Sequence, residues 1–182
     1  MIRLIPFLLA FLSLFLVMIE GSISQMMARI PFLPNDWFIV SHFLLLFLIY
    51  VTIFFEQKNT YYAFSFAIVL GATVDILYTS LIGGVYLFVY ATAIYLVRNM
   101  MKWLHANFFV AMLMVILGVL IADIFAYFLY SIIQIHDMSW SVYLSYRLLP
   151  TLVWNFIFGI LFYLLFKKML EKWAYIKFER KE

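Results

Sequence analysis

Four polar side chains lie within or beside strongly apolar runs of this sequence. Two are acids, Asp75 and Asp123, one is a base, Arg147, and one is an amide, Asn155. A charge near the centre of a bilayer costs at least about 2.5 to 3.5 kcal/mol on insertion scales, so such a group should face protein or water and have a partner. We therefore expect one of the two aspartates to pair with Arg147.

The buried acids have two interpretations, a path for protons or cations and a polar contact between helices. A pump commonly needs a chain of such groups. Two acids and one arginine make a short chain, which favours the contact. Glu20 lies at the end of a predicted helix, where an acid reaches water, and it is assigned no special role. His42 is interpreted as a hydrogen-bonded interior residue. Because His105 and His136 lie far from it in the sequence, no metal site is predicted.

The sequence lacks the motifs of common enzyme sites. It contains no H-E-x-x-H metal motif, no G-x-x-x-x-G-K phosphate loop and no G-x-S-x-G elbow. It has no cysteine, which excludes disulfides and thiol nucleophiles. Asp75 and Asp123 resemble an aspartyl protease pair only in type, since the flanking motifs are missing. We predict a protein that is not an enzyme and needs no cofactor.

The composition indicates a membrane protein. Of 182 residues, 68% are hydrophobic and 12% are charged, and the mean hydropathy is +1.08. A soluble domain is nearer half apolar and a quarter charged. About 20 residues cross the hydrocarbon as a helix, which predicts a single all-α membrane domain over 1–182, a bundle of six transmembrane helices. Their predicted ranges are about 4–19, 37–55, 61–78, 85–97, 108–133 and 148–166. The third and fourth, around Gly83 and Gly84, have one long bent element as their alternative.

The positions of the basic residues predict the orientation of this bundle in the membrane. If the N-terminus is inside, ten of the twelve lysines and arginines lie on the inner side, and only Arg29 and Arg147 lie on the outer side. Positive charge favours the cytoplasmic side, so both termini are predicted to be cytoplasmic. The segment 167–182 is predicted to be a basic juxtamembrane tail beside anionic lipid. Because the net charge of +3 is placed in this way, no nucleic-acid partner is expected.

Two short stretches resemble a known family. Gly71, Asp75 and Gly83 match the G-x-x-x-D-x-x-x-x-x-x-x-G signature of MreD, the bacterial rod-shape-determining membrane protein. The stretch that starts at Arg147 is similar to the family's P-x-x-x-x-N segment, with Pro150 and Asn155 at the matching positions. Asp123 matches no family motif.

The resemblance implies a non-enzymatic scaffold of the cell-elongation machinery in the bacterial cytoplasmic membrane. Such a scaffold binds MreC, which has one spanning helix, and connects indirectly to MreB filaments and peptidoglycan synthases. MreD proteins also look like the substrate-binding subunits of energy-coupling-factor transporters. The alternative function is therefore a vitamin-type binding subunit, and a third is a proton-coupled carrier that rests on Asp75 and Asp123 alone.

Overall fold

All regular structure is helical in the part of the chain that the computed structural model describes, residues 4–27, 37–79, 84–135 and 137–179. The helices are α1 (Ile5–Met27), α2 (Phe43–Phe54), α3 (Tyr62–Val74), α4 (Val85–Met100), α5 (Phe108–Ile132), α6 (Trp140–Tyr143) and α7 (Leu149–Ala174). Three π-helical turns extend α3, join α6 to α7 and extend α7: Asp75–Thr79, Leu144–Leu148 and Tyr175–Glu179. The prediction of an all-helical chain is confirmed.

The helix α2 lies at the centre of the bundle. It is buried at all twelve positions and packs against α1, α3, α4, α5 and α7. Its sequence is apolar on every face, and a helix of this kind is buried either in a large core or in a membrane. The neighbouring helices thus form a layer around α2, and their outer faces form the surface of the bundle.

These outer faces are strongly apolar. Large hydrophobic side chains are exposed along the described helices, among them Phe7, Phe11, Met18, Ile132, Val153, Ile157 and Leu164. Three helical segments are long and apolar enough to cross a membrane: Ile5–Ser24, Phe108–Ile132 and Trp140–Glu179. Exposed apolar surface on this scale needs lipid to cover it. The chain is a multi-pass membrane protein.

The first two helices differ from the predicted ranges. α1 does not end at 19 but continues to Met27, because no helix breaker follows Glu20 other than the tolerated Gly21. The predicted second helix begins only at Phe43, since residues 37–42 are not helical. This stretch is as apolar as the spanning helices. Its hydrogen-bond partners lie on α7 and in the π-helical turn before α7, which local sequence cannot reveal.

The last helix is longer than predicted at both ends. Helical structure begins at Trp140, not at 148, and continues through residue 166 to Glu179. The described part of the predicted tail is therefore a continuation of the helix, and Leu170 within it is buried. Gly83, the last residue of the first family motif, lies outside the described residues.

The hairpin of α3 and α4 depends on a close approach at Gly71. A Cβ atom added there would lie 2.8 Å from the Cα of Leu87 and 2.8 Å from the carbonyl oxygen of Tyr86. Both are backbone atoms that cannot rotate away. Glycine thus lets the two helix backbones meet, as small residues do in membrane bundles.

Candidate functional site: a buried polar cluster

Asp123 forms the centre of a group of polar side chains inside the bundle. It lies in α5 and has no exposed surface. Its Oδ2 accepts a hydrogen bond of 2.8 Å from the hydroxyl of Tyr143, and its Oδ1 lies 3.3 Å from Nη2 of Arg147. Among the described residues, Asp123 is thus the aspartate within ion-pair distance of Arg147. A charge-assisted contact of this kind compensates both groups in the interior.

Glu20 and His42 extend this ion pair toward α1 and α2. Nε2 of His42 lies 3.9 Å from Oδ1 of Asp123, and Nδ1 lies 3.1 Å from the hydroxyl of Tyr90. The same hydroxyl donates to Oε1 of Glu20 at 3.0 Å. We name six residues the buried polar cluster: Glu20, His42, Tyr90, Asp123, Tyr143 and Arg147.

The expectation for Glu20 was wrong. Because α1 continues past it, Glu20 lies within the helix and is buried. Its Oε2 accepts a hydrogen bond of 3.0 Å from the backbone N–H of Leu44, in the first turn of α2. The first N–H groups of a helix have no partner within the helix and form the positive end of its dipole. Since His42 provides no side-chain cap, the Glu20 carboxylate neutralises this helix end.

Asp75 binds the N-terminal N–H groups of α4, as Glu20 does for α2. Its Oδ1 accepts from the N–H of Tyr86 at 2.9 Å, and its Oδ2 accepts from the N–H of Leu87 at 3.1 Å. The first family motif therefore has a physical basis in this hairpin. Gly71 permits the close approach of the two helices, and Asp75 binds the N-terminal turn that the approach presents.

Pro150 explains how the non-helical segment 37–42 is held. A proline has no N–H, so Pro150 leaves the carbonyl of Tyr146 without its usual helical donor. The N–H of Phe38 donates to that carbonyl at 2.9 Å. The π-helical turn Leu144–Leu148 lies directly before the proline, where such irregularities are common.

Asn155 and Thr151 bind the next residues of the same segment. The hydroxyl oxygen of Thr151 accepts from the N–H of Val40 at 3.1 Å. The amide of Asn155 accepts from the N–H of His42 at 2.8 Å and donates to the carbonyl of Val40 at 2.7 Å. Backbone groups at membrane depth must find partners within the protein. The second family motif provides those partners on α7.

The arrangement joins helices rather than presenting a reactive group. The buried polar cluster includes residues from α1, α4, α5, α6 and the turn before α7, together with His42 just before α2. Among the described residues, no group of three or more histidine, cysteine or acidic side chains is placed to hold a metal ion. Within this group two acidic side chains lie beside one arginine and one histidine, and each acid has a hydrogen-bond or ion-pair partner.

Comparison with known proteins identifies the family. The family model described as rod shape-determining protein MreD matches residues 2–173. The chain belongs to the MreD family. It is 32% identical over 161 residues to the rod shape-determining protein MreD of Bacillus subtilis (strain 168), which covers 88% of this chain and 91% of that one. It is 28% identical over 154 residues to the cell shape-determining protein MreD of Streptococcus pneumoniae (strain ATCC BAA-255 / R6), with 85% and 90% covered. No solved structure was found to match.

Membership in the MreD family agrees with the expectation of a non-enzymatic protein, since the family is one of shape-determining membrane proteins. Of the predicted site residues, the structure brings Asp123 and Arg147 together, while Asp75 and Asn155 bind backbone groups elsewhere. Sequence reasoning missed Glu20, Tyr90 and Tyr143. The absence of a helix breaker after Glu20 was the one available signal, since it places that acid inside a helix.

Proposed function

We propose that the chain is a scaffold of the bacterial cell-elongation machinery, the assembly that synthesises peptidoglycan, and that it is required for rod shape. The observation that carries the proposal is the family match over residues 2–173. The two relatives described above, named rod shape-determining and cell shape-determining, align with most of the chain.

The buried polar cluster supports a scaffold because a scaffold must hold its helices at fixed positions. Apolar contacts between helices in lipid are not directional, since lipid tails are as apolar as the side chains they replace. Hydrogen bonds at Asp123, Glu20 and Asn155 require specific partners on other segments of the bundle. A surface formed by helices fixed in this way is a constant docking face for a partner.

The proposed topology has six crossings with both termini in the cytoplasm. The distribution of lysine and arginine, ten of twelve on one side, supports it. The short helix α2 spans only about 18 Å. The non-helical residues 37–42 are bound beside Tyr146 to Asn155 and would add about 20 Å if fully extended, enough together for a hydrocarbon core of about 30 Å. In this proposal the second crossing is half non-helical and half helical.

The proposed direct partner is an MreC-like protein with one spanning helix, and MreB filaments and peptidoglycan synthases are indirect partners. The exposed apolar faces of the bundle support a contact at lipid depth. A spanning helix of the partner would pack on such a face by close approach and by van der Waals contact.

The alternative function, a vitamin-type binding subunit, would need a free polar site within the bundle. The N-terminus of a half-helix at membrane depth is where transporters hold anionic substrates. In this chain the carboxylate of Glu20 already occupies that position on α2, which supports the scaffold instead. The likeness of fold to energy-coupling-factor subunits stays a prediction.

Depletion of the chain in its own bacterium separates the two functions. We expect rod-shaped cells to become rounded, with no new vitamin requirement, and re-expression to restore the rods. Cells of normal shape that need a vitamin for growth would instead support the binding subunit.

Affinity purification of the full chain from detergent-solubilised membranes tests the partner. We expect a protein with one spanning helix and an extracytoplasmic domain to co-purify in a constant ratio. Its absence after chemical cross-linking in intact cells would contradict the proposed direct contact, even if depletion changes cell shape.

A further inference from the structure

A pocket lies at the end of the bundle remote from the buried polar cluster. It is formed where the loop between α2 and α3 faces the loop between α4 and α5, and its volume is about 650 Å³. Its lining combines apolar side chains with the charged side chains of Glu56, Lys58, Arg98 and Lys102.

One of the three cations in this pocket is already neutralised. Arg98 forms an ion pair with Glu56 and donates to the carbonyl of Lys58 at 2.8 Å. Its guanidinium also lies 4.0 Å from the ring centroid of Tyr61. These contacts fix Arg98, which in turn fixes the loop that carries Lys58.

The other two cations are not matched by acids. Lys102 donates to the amide oxygen of Asn99 at 2.6 Å, and no described carboxylate lies within ion-pair distance of Lys58 or Lys102. With Glu56 balanced by Arg98, the pocket has an excess of two positive charges. His105 adds a further hydrogen-bonding group at its edge.

Aromatic side chains beside the pocket indicate its depth in the membrane. Trp103, next to Lys102, is 87% exposed, and Phe109, at the start of α5, is 82% exposed. Exposed tryptophan at the end of a spanning segment lies at the level of lipid headgroups. The pocket therefore opens at the depth where phosphate groups are found, and Ile53, Met101 and Leu104 give it an apolar part.

We propose that this pocket binds the headgroup of an anionic phospholipid. Lys58 and Lys102 would contact the phosphate, and the apolar part would take the glycerol and the first carbons of the acyl chains. Basic pockets between spanning helices bind such headgroups. Two unmatched cations favour an anionic lipid over a zwitterionic one, whose own ammonium group they would repel. The proposal rests on the membrane location of the chain and does not depend on its role in cell shape.

Native mass spectrometry of the purified full chain in detergent tests the proposal, with phosphatidylglycerol and phosphatidylcholine titrated in turn. We expect one phosphatidylglycerol molecule to bind more tightly than phosphatidylcholine. The double variant Lys58→Gln/Lys102→Gln should weaken phosphatidylglycerol binding by about 25-fold, at roughly 1 kcal/mol for each basic residue.

The matched control is Lys168→Gln/Lys172→Gln, which removes two exposed cations of α7 that do not line the pocket. It should change the affinity by less than about 3-fold, because salt screens exposed charges that lie more than a Debye length from the bound lipid. Equal losses in the two double variants would overturn the proposal in favour of general surface attraction.

Two further measurements distinguish a lipid phosphate from a soluble phosphate, and distinguish loss of binding from loss of folding. Inorganic phosphate at millimolar concentration should not displace the lipid. If it does, the site takes a soluble anion and the lipid proposal fails. The variant Lys58→Arg/Lys102→Arg keeps both charges and should retain binding, and loss of binding in this variant, with an unchanged melting temperature, would contradict a phosphate contact.

Discussion

The two ends of α2 use ionic groups in opposite ways. At its N-terminal end, the buried polar cluster encloses Asp123 and Arg147 and matches almost every charge with a partner. At its C-terminal end, about 18 Å away, Glu56 and Arg98 form a pair beside an open pocket that keeps two unmatched lysines. Both ion pairs are largely buried. The two ends differ because, among the described residues, only the second also has cations without an acidic partner, at a pocket.

This difference teaches that the cost of burial decides what a charge can do in a membrane bundle. A charge that is excluded from water must be compensated by the protein, so it fixes structure. A charge that reaches water or headgroups can remain unmatched, so it is available to a ligand. Substitution of equivalent polar side chains at the two ends of α2 tests this contrast.

The largest effect is expected for Asp123→Asn. The substitution keeps the shape of the side chain but leaves Arg147 without its counter-charge, and breaking a buried pair in this way costs about 3 to 5 kcal/mol. The free energy of unfolding in mixed micelles measures the loss. Asp137→Asn, an exposed acid in the loop before α6, is the control and should change stability by less than about 0.5 kcal/mol.

A double-mutant cycle with Arg147→Leu sharpens this result. If the two groups compensate each other, Asp123→Asn/Arg147→Leu should recover part of the loss, with a coupling of about 1 to 3 kcal/mol. Additive losses of unfolding free energy would show that Asp123 and Arg147 are not energetically coupled.

The next effect is expected for Asn155→Leu. The leucine keeps the branched shape without polar atoms and leaves the N–H of His42 and the carbonyl of Val40 without their partner at 2.8 and 2.7 Å. Buried unsatisfied groups cost about 1 to 3 kcal/mol. Hydrogen exchange of the amides in 38–42 should accelerate with the loss of stability. Asn59→Leu, exposed at the pocket end, should leave both measurements unchanged.

A small effect is expected for Glu56→Gln, the pocket-end equivalent of Asp123→Asn. Arg98 keeps its carbonyl partners at 2.8 and 3.3 Å. Burial raises the pKa of the Glu56 carboxyl, against the opposing effects of the Ala63 N–H and Arg98. Ionisation of the buried Glu56 carboxyl therefore costs stability, and the ion pair with Arg98 offsets that cost. Since the lost ion pair and the relieved burial of the carboxylate offset each other, we expect a change below about 1 kcal/mol at neutral pH.

The pH dependence of stability checks this interpretation of Glu56. A carboxyl whose pKa is raised in the folded state binds more protons there than in the unfolded state. Its contribution to stability is therefore present at low pH and is lost as pH rises from the ordinary carboxyl pKa of 4.5 through the higher pKa of the folded state. Glu56→Gln should flatten that part of the curve. A variant with an unchanged slope would assign the dependence to other acids.

The smallest expected effect is the position of one proton in the buried polar cluster. Because the Tyr90 hydroxyl donates to Glu20, its oxygen accepts from Nδ1 of His42. We therefore expect Nδ1 of His42 to carry a proton that it donates to the Tyr90 oxygen. Nitrogen NMR in bilayers, on a chain with His105→Gln and His136→Gln, identifies the ring nitrogen that carries this proton. An Nδ1 without a proton would contradict the hydrogen bond.

The sequence was sufficient to predict the helical membrane architecture and four of the polar residues that fix it. Long apolar runs and the few charges within them are local signals, so Asp75, Asp123, Arg147 and Asn155 could be identified directly. The residues at 37–42 could not, because an apolar stretch that binds α7 has the same composition as one that forms its own helix. Glu20 was missed for a related reason, since its partner Leu44 lies on a different helix.

The bonds between the segment 37–42 and α7 have a consequence for how the chain is made. The partners of Val40 and His42 lie 111 and 113 residues later in the sequence. A ribosome that has just completed α2 has not yet synthesised them, so these backbone groups enter the membrane with no partner from the chain. These contacts of the segment 37–42 can therefore form only after α7 has been synthesised. A truncation that removes only α7 should leave the backbone of this segment without the partners it has in the complete bundle.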